Sequence, residues 1–169
     1  MSISVALQPT YGERICLPAS RGDITVRAGV LDGAAITAYT NGQCLALALS
    51  FHHRFEWPLI AHLCRPGDLQ WETRLNGGLD NAFEEPNWFF DFVHVLVEHP
   101  SGELVDINGI HDRDNYLACA ADTYGTAALV EVPAEILIAA FAEHAPATRQ
   151  NLDCAAAFVD AIVDANTLI

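Results

Sequence analysis

Apolar and polar positions alternate with a period of two in Ile3-Ser4-Val5-Ala6-Leu7, Arg14-Ile15-Cys16-Leu17 and Asp23-Ile24-Thr25-Val26-Arg27, with turn residues between them. This pattern predicts two or three short strands within the N-terminal 40 residues. Residues 31–39 carry no period that assigns them. The pattern changes after Asn41-Gly42, a dipeptide that tolerates tight-turn backbone angles. The seven residues that follow Cys44 contain no Gly, Pro or β-branched side chain, so a helix is expected from Cys44 to about Phe55, closed by Trp57-Pro58. Leu59-Ile60-Ala61-His62-Leu63-Cys64 then reads as a strand.

Residues 68–87 have little periodicity and include Gly77-Gly78 and Glu84-Glu85-Pro86, the marks of a long surface excursion suited to a lid. The strongest strand signal follows. Residues 89–98 and 103–107 flank Pro100-Ser101-Gly102 and predict a hairpin. Setting Glu98 opposite Gly102 places His94 opposite Asp106 on one face, with the Cys44 helix packed against that face. Residues 110–125 read as a polar loop, 126–132 as a strand, Pro133 as the start of a helix to about Ala145, and 148–166 as a second helix. The expected architecture is α+β: a single domain over residues 1–169, with N-terminal strands (1–40), a helix and hairpin (41–110), and a strand with two helices (126–169).

Composition narrows the function. Of 169 residues, 51% are hydrophobic and 18% charged, which excludes a disordered chain and leaves few solvated faces, so a homodimer or a partner is plausible. The formal net charge of −14 repels a nucleic-acid backbone and favours a basic protein partner. No segment resembles a signal peptide or a membrane span, so a cytoplasmic protein is expected, with a signal-independent export route compatible with the same sequence. Five cysteines without a C-x-x-C pair fit reduced thiols. Cys16, Cys64, Cys119 and Cys154 are read as packing residues.

Cys44 differs by its place. At a helix start a sulfur meets unpaired N–H groups and the positive end of the helix dipole, both of which favour thiolate over thiol. With His94 and Asp106 facing each other across a hairpin, the residue types form a thiol system: Cys44 as nucleophile, His94 as proton carrier and Asp106 as the group that fixes the imidazole tautomer. A buried strand histidine satisfied by an aspartate is also common without catalysis, and the three together carry the inference. Asn108 shares strand parity with Asp106 and competes with it as the orienting residue. Trp57, Trp71 and Trp88 are candidates for a substrate groove, with packing anchors as the competing reading. His52 and His53 end the helix, where imidazoles meet exposed carbonyls. Adjacent helical residues point about 100° apart, so this pair does not make a metal site, and neither a metal nor another cofactor is expected.

The motifs Asn41-Gly42-Gln43-Cys44 entering a helix, His94 in a strand, and Asp106 followed by Asn108-Gly109 make the chain similar to the papain-like cysteine superfamily over residues 41–110. The likeness is to the small bacterial and phage-type branches, including papain-like toxin domains and glutamine deamidases. It implies a papain-like fold and thioester chemistry on a protein or peptide substrate: peptide or isopeptide cleavage, glutamine deamidation or acyl transfer. The resemblance also implies an oxyanion-hole glutamine six residues before the nucleophile, where this chain has Ala38, and an aromatic residue after it, where this chain has Leu45. Gln43 is then a candidate oxyanion donor beside the backbone N–H of Cys44. The rival reading is a non-enzymatic, immunity-type binding protein of the same fold whose acidic surface docks a basic partner.

Overall fold

A computed structural model describes residues 8–64, 88–124 and 127–168. It is a mixed α+β structure with antiparallel sheets. The expected strand at residues 3–7, the expected lid at 68–87 and Trp71 lie outside the described residues. Strands β1 (Arg14–Leu17) and β2 (Ile24–Arg27) form a two-stranded hairpin. The stretch with no clear period contains helix α1 (Gly33–Thr40), so the N-terminal region is not strands alone. Asp32 starts this helix, its Oδ1 accepting from the N–H groups of Ala34 and Ala35 at 3.1 Å each.

Helix α2 (Cys44–Phe55) buries Cys44, Leu45, Ala46, Leu47, Ala48, Leu49 and Phe51. Such all-round burial explains why its sequence shows an apolar run rather than one apolar stripe. It ends at Glu56, whose left-handed backbone (φ 58°) lets its N–H reach the carbonyl of His52 at 2.8 Å. His52 itself bonds the Trp57 carbonyl through Nδ1, 2.8 Å.

The larger sheet contains β3 (Leu59–Cys64), β4 (Phe92–Glu98), β5 (Leu104–Asp106), β6 (Gly109–His111) and β7 (Ala127–Glu131), in the order β6-β5-β4-β3-β7. Residues 110–124 are not a loop: they complete β6 and form helix α3 (Arg113–Tyr124). The polar reading failed because α3 has little amphipathic character and is held to the sheet mainly by Tyr116 and Leu117, which meet Ile60, Leu96, Leu104 and Leu129. Pro133 precedes α4 (Ala134–His144), as expected, and α5 (Leu152–Asn166) follows a non-helical segment, four residues later than the pattern placed it.

The hairpin register also differs from expectation. Val97 pairs with Val105 and Glu98 with Leu104, while His99 N donates to Glu103 O at 2.9 Å. The three-residue connection 100–102 ends on Gly102 at φ 89°, and the Gly102 N–H returns to His99 O at 2.8 Å. Relative to the expected pairing the partner strand moves by two residues. A slip of two preserves the face, whereas a slip of one would reverse it, so His94 and Asp106 remain on the same side.

That side is not the one expected to pack on α2. Val95, Val97, Val105, Ile107, Leu59 and Ala61 join α2 in the main core, which also takes Leu17, Val26 and residues of α5. His94 and Asp106 share parity with Leu96 and Leu104, on the face that α3 covers. No described helix is long and apolar enough to cross a membrane.

Candidate functional site

The ladder between β4 and β5 stops at Val97–Val105, and the β3–β4 register shifts between the pairs His62–His94 and Leu63–Phe92. The shift inserts Val93 as an extra residue. A bulge of this kind bends a strand and re-aims the side chain beside it. His94 therefore lies where the sheet opens, beside the bulge.

His94 Nε2 is 3.0 Å from Asp106 Oδ2, and both side chains are buried. The Cys44 thiol lies near enough to the same imidazole to raise its proton affinity. With Nε2 occupied by Asp106, Nδ1 is the ring nitrogen left for the thiol. Burial alone would drive the His94 proton off, but the hydrogen bonds and charges of Asp106 and Cys44 outweigh it and raise the imidazole to about 10. At neutral pH His94 is an imidazolium between a carboxylate and a sulfur.

Asp106 has more partners than the sequence implies. Its Oδ1 lies 2.8 Å from His111 Nε2 and accepts the Asn108 backbone N–H at 2.8 Å, while Asn108 Nδ2 lies 3.5 Å from Oδ2. Burial works against the charged carboxylate, yet the bonds from His111 and His94 hold it below the usual carboxylate range. Asp106 is thus the group bonded to the His94 imidazole, and Asn108 supports that carboxylate instead of replacing it.

His111, read from the sequence as part of a loop, is the member of this cluster that the pattern missed. Its only signal is the tight β5–β6 turn at Asn108-Gly109, which pairs Asp106 with Gly109 and brings position 111 back within reach. Gly109 supplies the φ of 102° that this turn needs, close against the Asn166 side chain. On the α3 side, Tyr116 stands edge-on to His111 at 5.5 Å, and its hydroxyl is 3.1 Å from His62 Nδ1. Burial and the positive charge of His94 lower the His62 imidazole to about 4, so His62 is neutral beside a charged neighbour.

A cleft of about 300 Å3 runs along His62, His94, Asp106, Asn108, His111 and Tyr116. Cys119 is exposed at the same cleft and Cys16 is exposed on β1, so neither is the packing residue expected; alternate positions of a short edge strand and of a weakly amphipathic helix face solvent. Cys64 and Cys154 are buried, and none of the five cysteines is in a disulfide. Among the described residues no three His, Cys, Asp or Glu side chains converge to hold a metal.

Three other candidates sit elsewhere. The Gln43 side chain is completely buried, its Nε2 donating to the carbonyls of Pro18 (2.6 Å) and Arg149 (3.0 Å) and its Oε1 accepting from Asn151 N (3.1 Å). Both amide hydrogens are spent, so Gln43 has none for an oxyanion. The backbone N–H of Cys44 meets no acceptor among the described residues. Trp57 stacks on Phe51 and Phe55 at 5.5 and 4.7 Å and meets His99 edge-on, at the end of α2 away from Cys44. It is a packing anchor because the helix, about 18 Å long, separates it from the site. Trp88 opens the short 3-10 turn Trp88–Asp91 before β4 and packs against the core with Phe89 and Phe92. Neither tryptophan lines the cleft.

No protein-family model, curated protein or solved structure matches this chain.

Proposed function

We propose that this chain is a cysteine-dependent amide hydrolase or acyl transferase with a papain-like core, acting on a protein or peptide substrate through Cys44, His94 and Asp106. The observation that carries the proposal is the buried His94 imidazole bonded to Asp106, with the Cys44 thiol near enough to help raise its proton affinity. A buried imidazole has two ring nitrogens to satisfy, and its first partner is the Asp106 carboxylate. Here the second is a thiol at the start of a helix, where backbone N–H groups favour negative charge.

In the proposed reaction the sulfur, its proton held by His94, attacks the amide carbonyl carbon. The carbonyl oxygen becomes an oxyanion facing the Cys44 N–H, and the imidazolium returns its proton to the nitrogen of the departing amine or ammonia as the carbon–nitrogen bond breaks. The thioester is then opened by water, which gives an acid, or by an amine, which gives a new amide; either regenerates the thiol. Asp106 stays ionised throughout and keeps the ring in one orientation.

Two measurements test this reading. Iodoacetamide at neutral pH should alkylate Cys44 ahead of the exposed Cys16 and Cys119, although Cys44 is only 5% exposed. Labelling ordered by exposure alone would favour the acidic binding protein instead. Mass spectrometry of a cell lysate treated with the wild type or Cys44→Ala should then reveal a cut, a one-unit gain at glutamine, or a crosslink that the variant does not produce. Identical product profiles from the two proteins would remove the enzymatic reading.

A further inference from the structure

Helix α2 begins without the cap that helices usually carry. The residue before it is Gln43, whose side chain makes no capping bond because it is turned into the protein. The acceptor for the first turn comes from far along the chain: Gln150 Oε1 takes the Ala46 N–H at 2.9 Å. The same carboxamide donates through Nε2 to the carbonyls of Gly42 (2.7 Å) and Thr148. Its orientation is fixed by these partners, since a flipped amide would set NH2 against an N–H and an oxygen against two carbonyls.

The segment preceding Cys44 is tied on its other side as well. Ser20 donates to Asn41 O through N (2.7 Å) and Oγ (3.1 Å). Gly42, at φ 128°, is so enclosed that a Cβ there would come within 2.9 Å of Thr148 Cγ2.

We propose that Gln150 is a positioning residue for Cys44: it caps the nucleophile helix from the C-terminal part of the chain, leaving the Cys44 N–H open toward the oxyanion. This rests on the reading of Cys44 as the nucleophile. The chemistry explains the choice of residue. Helix starts are commonly capped by Ser, Thr, Asp or Asn at the preceding position, and an aspartate there would put a negative charge beside the sulfur. Gln150 satisfies the Ala46 N–H with a neutral oxygen, so the positive end of the dipole remains available to a thiolate and an oxyanion. It also holds the Gly42 carbonyl, which fixes the peptide preceding Gln43-Cys44.

The test compares wild type, Gln150→Glu and Gln150→Ala by the rate of Cys44 alkylation against pH, together with thermal unfolding. Gln150→Glu keeps an acceptor for Ala46 but adds a charge and loses both donations. Its alkylation profile should move to higher pH, with a rate at pH 7 about three- to tenfold below wild type. Gln150→Ala should also slow alkylation, without the displacement along the pH axis. Should Gln150→Glu not fold, Gln150→Ala with a wild-type alkylation rate would still overturn the proposal, and a slowed rate would support it. Profiles of both variants that superimpose on wild type, with only the melting temperature lowered, would make Gln150 a structural tie. These outcomes are separate from failure of the enzymatic reading, which would appear as absent Cys44 preference in the wild type.

Discussion

Asp106 shows how much one buried carboxylate carries when it serves two imidazoles. It accepts from His94, His111 and the Asn108 backbone, and removal of its charge leaves each of these donors short of an ionic partner. Asp106→Asn should lower turnover by about 10²- to 10⁴-fold, because an amide favours the wrong His94 tautomer and no longer stabilises the imidazolium. His111→Ala should cost about tenfold, the worth of one hydrogen bond to a charged group, and His111→Gln should recover part of it. Asn108→Ala should cost less than either, because its strongest bond to Asp106 comes from the backbone, which the substitution leaves in place. Turnover of the substrate found in lysate ranks the variants; equal losses for Asn108→Ala and Asp106→Asn would contradict this division of roles.

At the scale of elements, α2 has two ends with different tasks. Cys44 and the amide clamp occupy the first turn, while Phe51, Phe55 and Trp57 make an aromatic stack at the last. Trp57→Ala should destabilise the fold by about 3–5 kcal/mol, the range for removing a large buried aromatic side chain. It should leave the Cys44 alkylation rate of the folded protein unchanged. Denaturant unfolding with alkylation below the transition checks both, and a slowed alkylation would mean that Trp57 communicates with the site through the helix. The β3–β4 bulge has the opposite effect on the sheet: it costs ladder regularity at Val93 and sets His94 where the sheet opens.

For the whole molecule, the shifts of His94, His62 and Asp106 predict a pH optimum of stability. His94 is raised in the folded state from 6.5 to about 10, so the folded chain binds more protons than the unfolded one between those values; this stability is complete below pH 6.5 and fades as pH rises toward 10. His62 is lowered from 6.5 to about 4, so the unfolded chain binds more protons there, and stability fades as pH falls from 6.5 toward 4. Asp106 is also lowered, and its contribution is lost as pH falls below 3.8. Denaturation midpoints should therefore peak near pH 6.5. His62→Gln should flatten the acid side while leaving the alkaline side in place. A midpoint constant from pH 5 to 9 would show that these imidazoles do not set the stability of the fold.

The sequence by itself determined α2, β3, β7 and α4 nearly to their ends, because each has an unbroken local pattern with a turn or proline at its boundary. It also determined that Cys44 begins a helix and that His94 and Asp106 share a face, since strand parity survives a slip of two. Only the tertiary structure decided the rest. α1 and α3 lack a marked apolar period and owe their place to a capping aspartate and to two side chains on a sheet. Gln43 is legible as an amide beside Cys44, but residues 18, 149 and 151 turn it inward, and no local pattern reports contacts across 25, 106 or 108 positions. His111 joins Asp106, and Gln150 caps Cys44's helix, for the same reason: hydrogen-bond partners are chosen in space, whereas periodicity records only which side of an element a residue occupies.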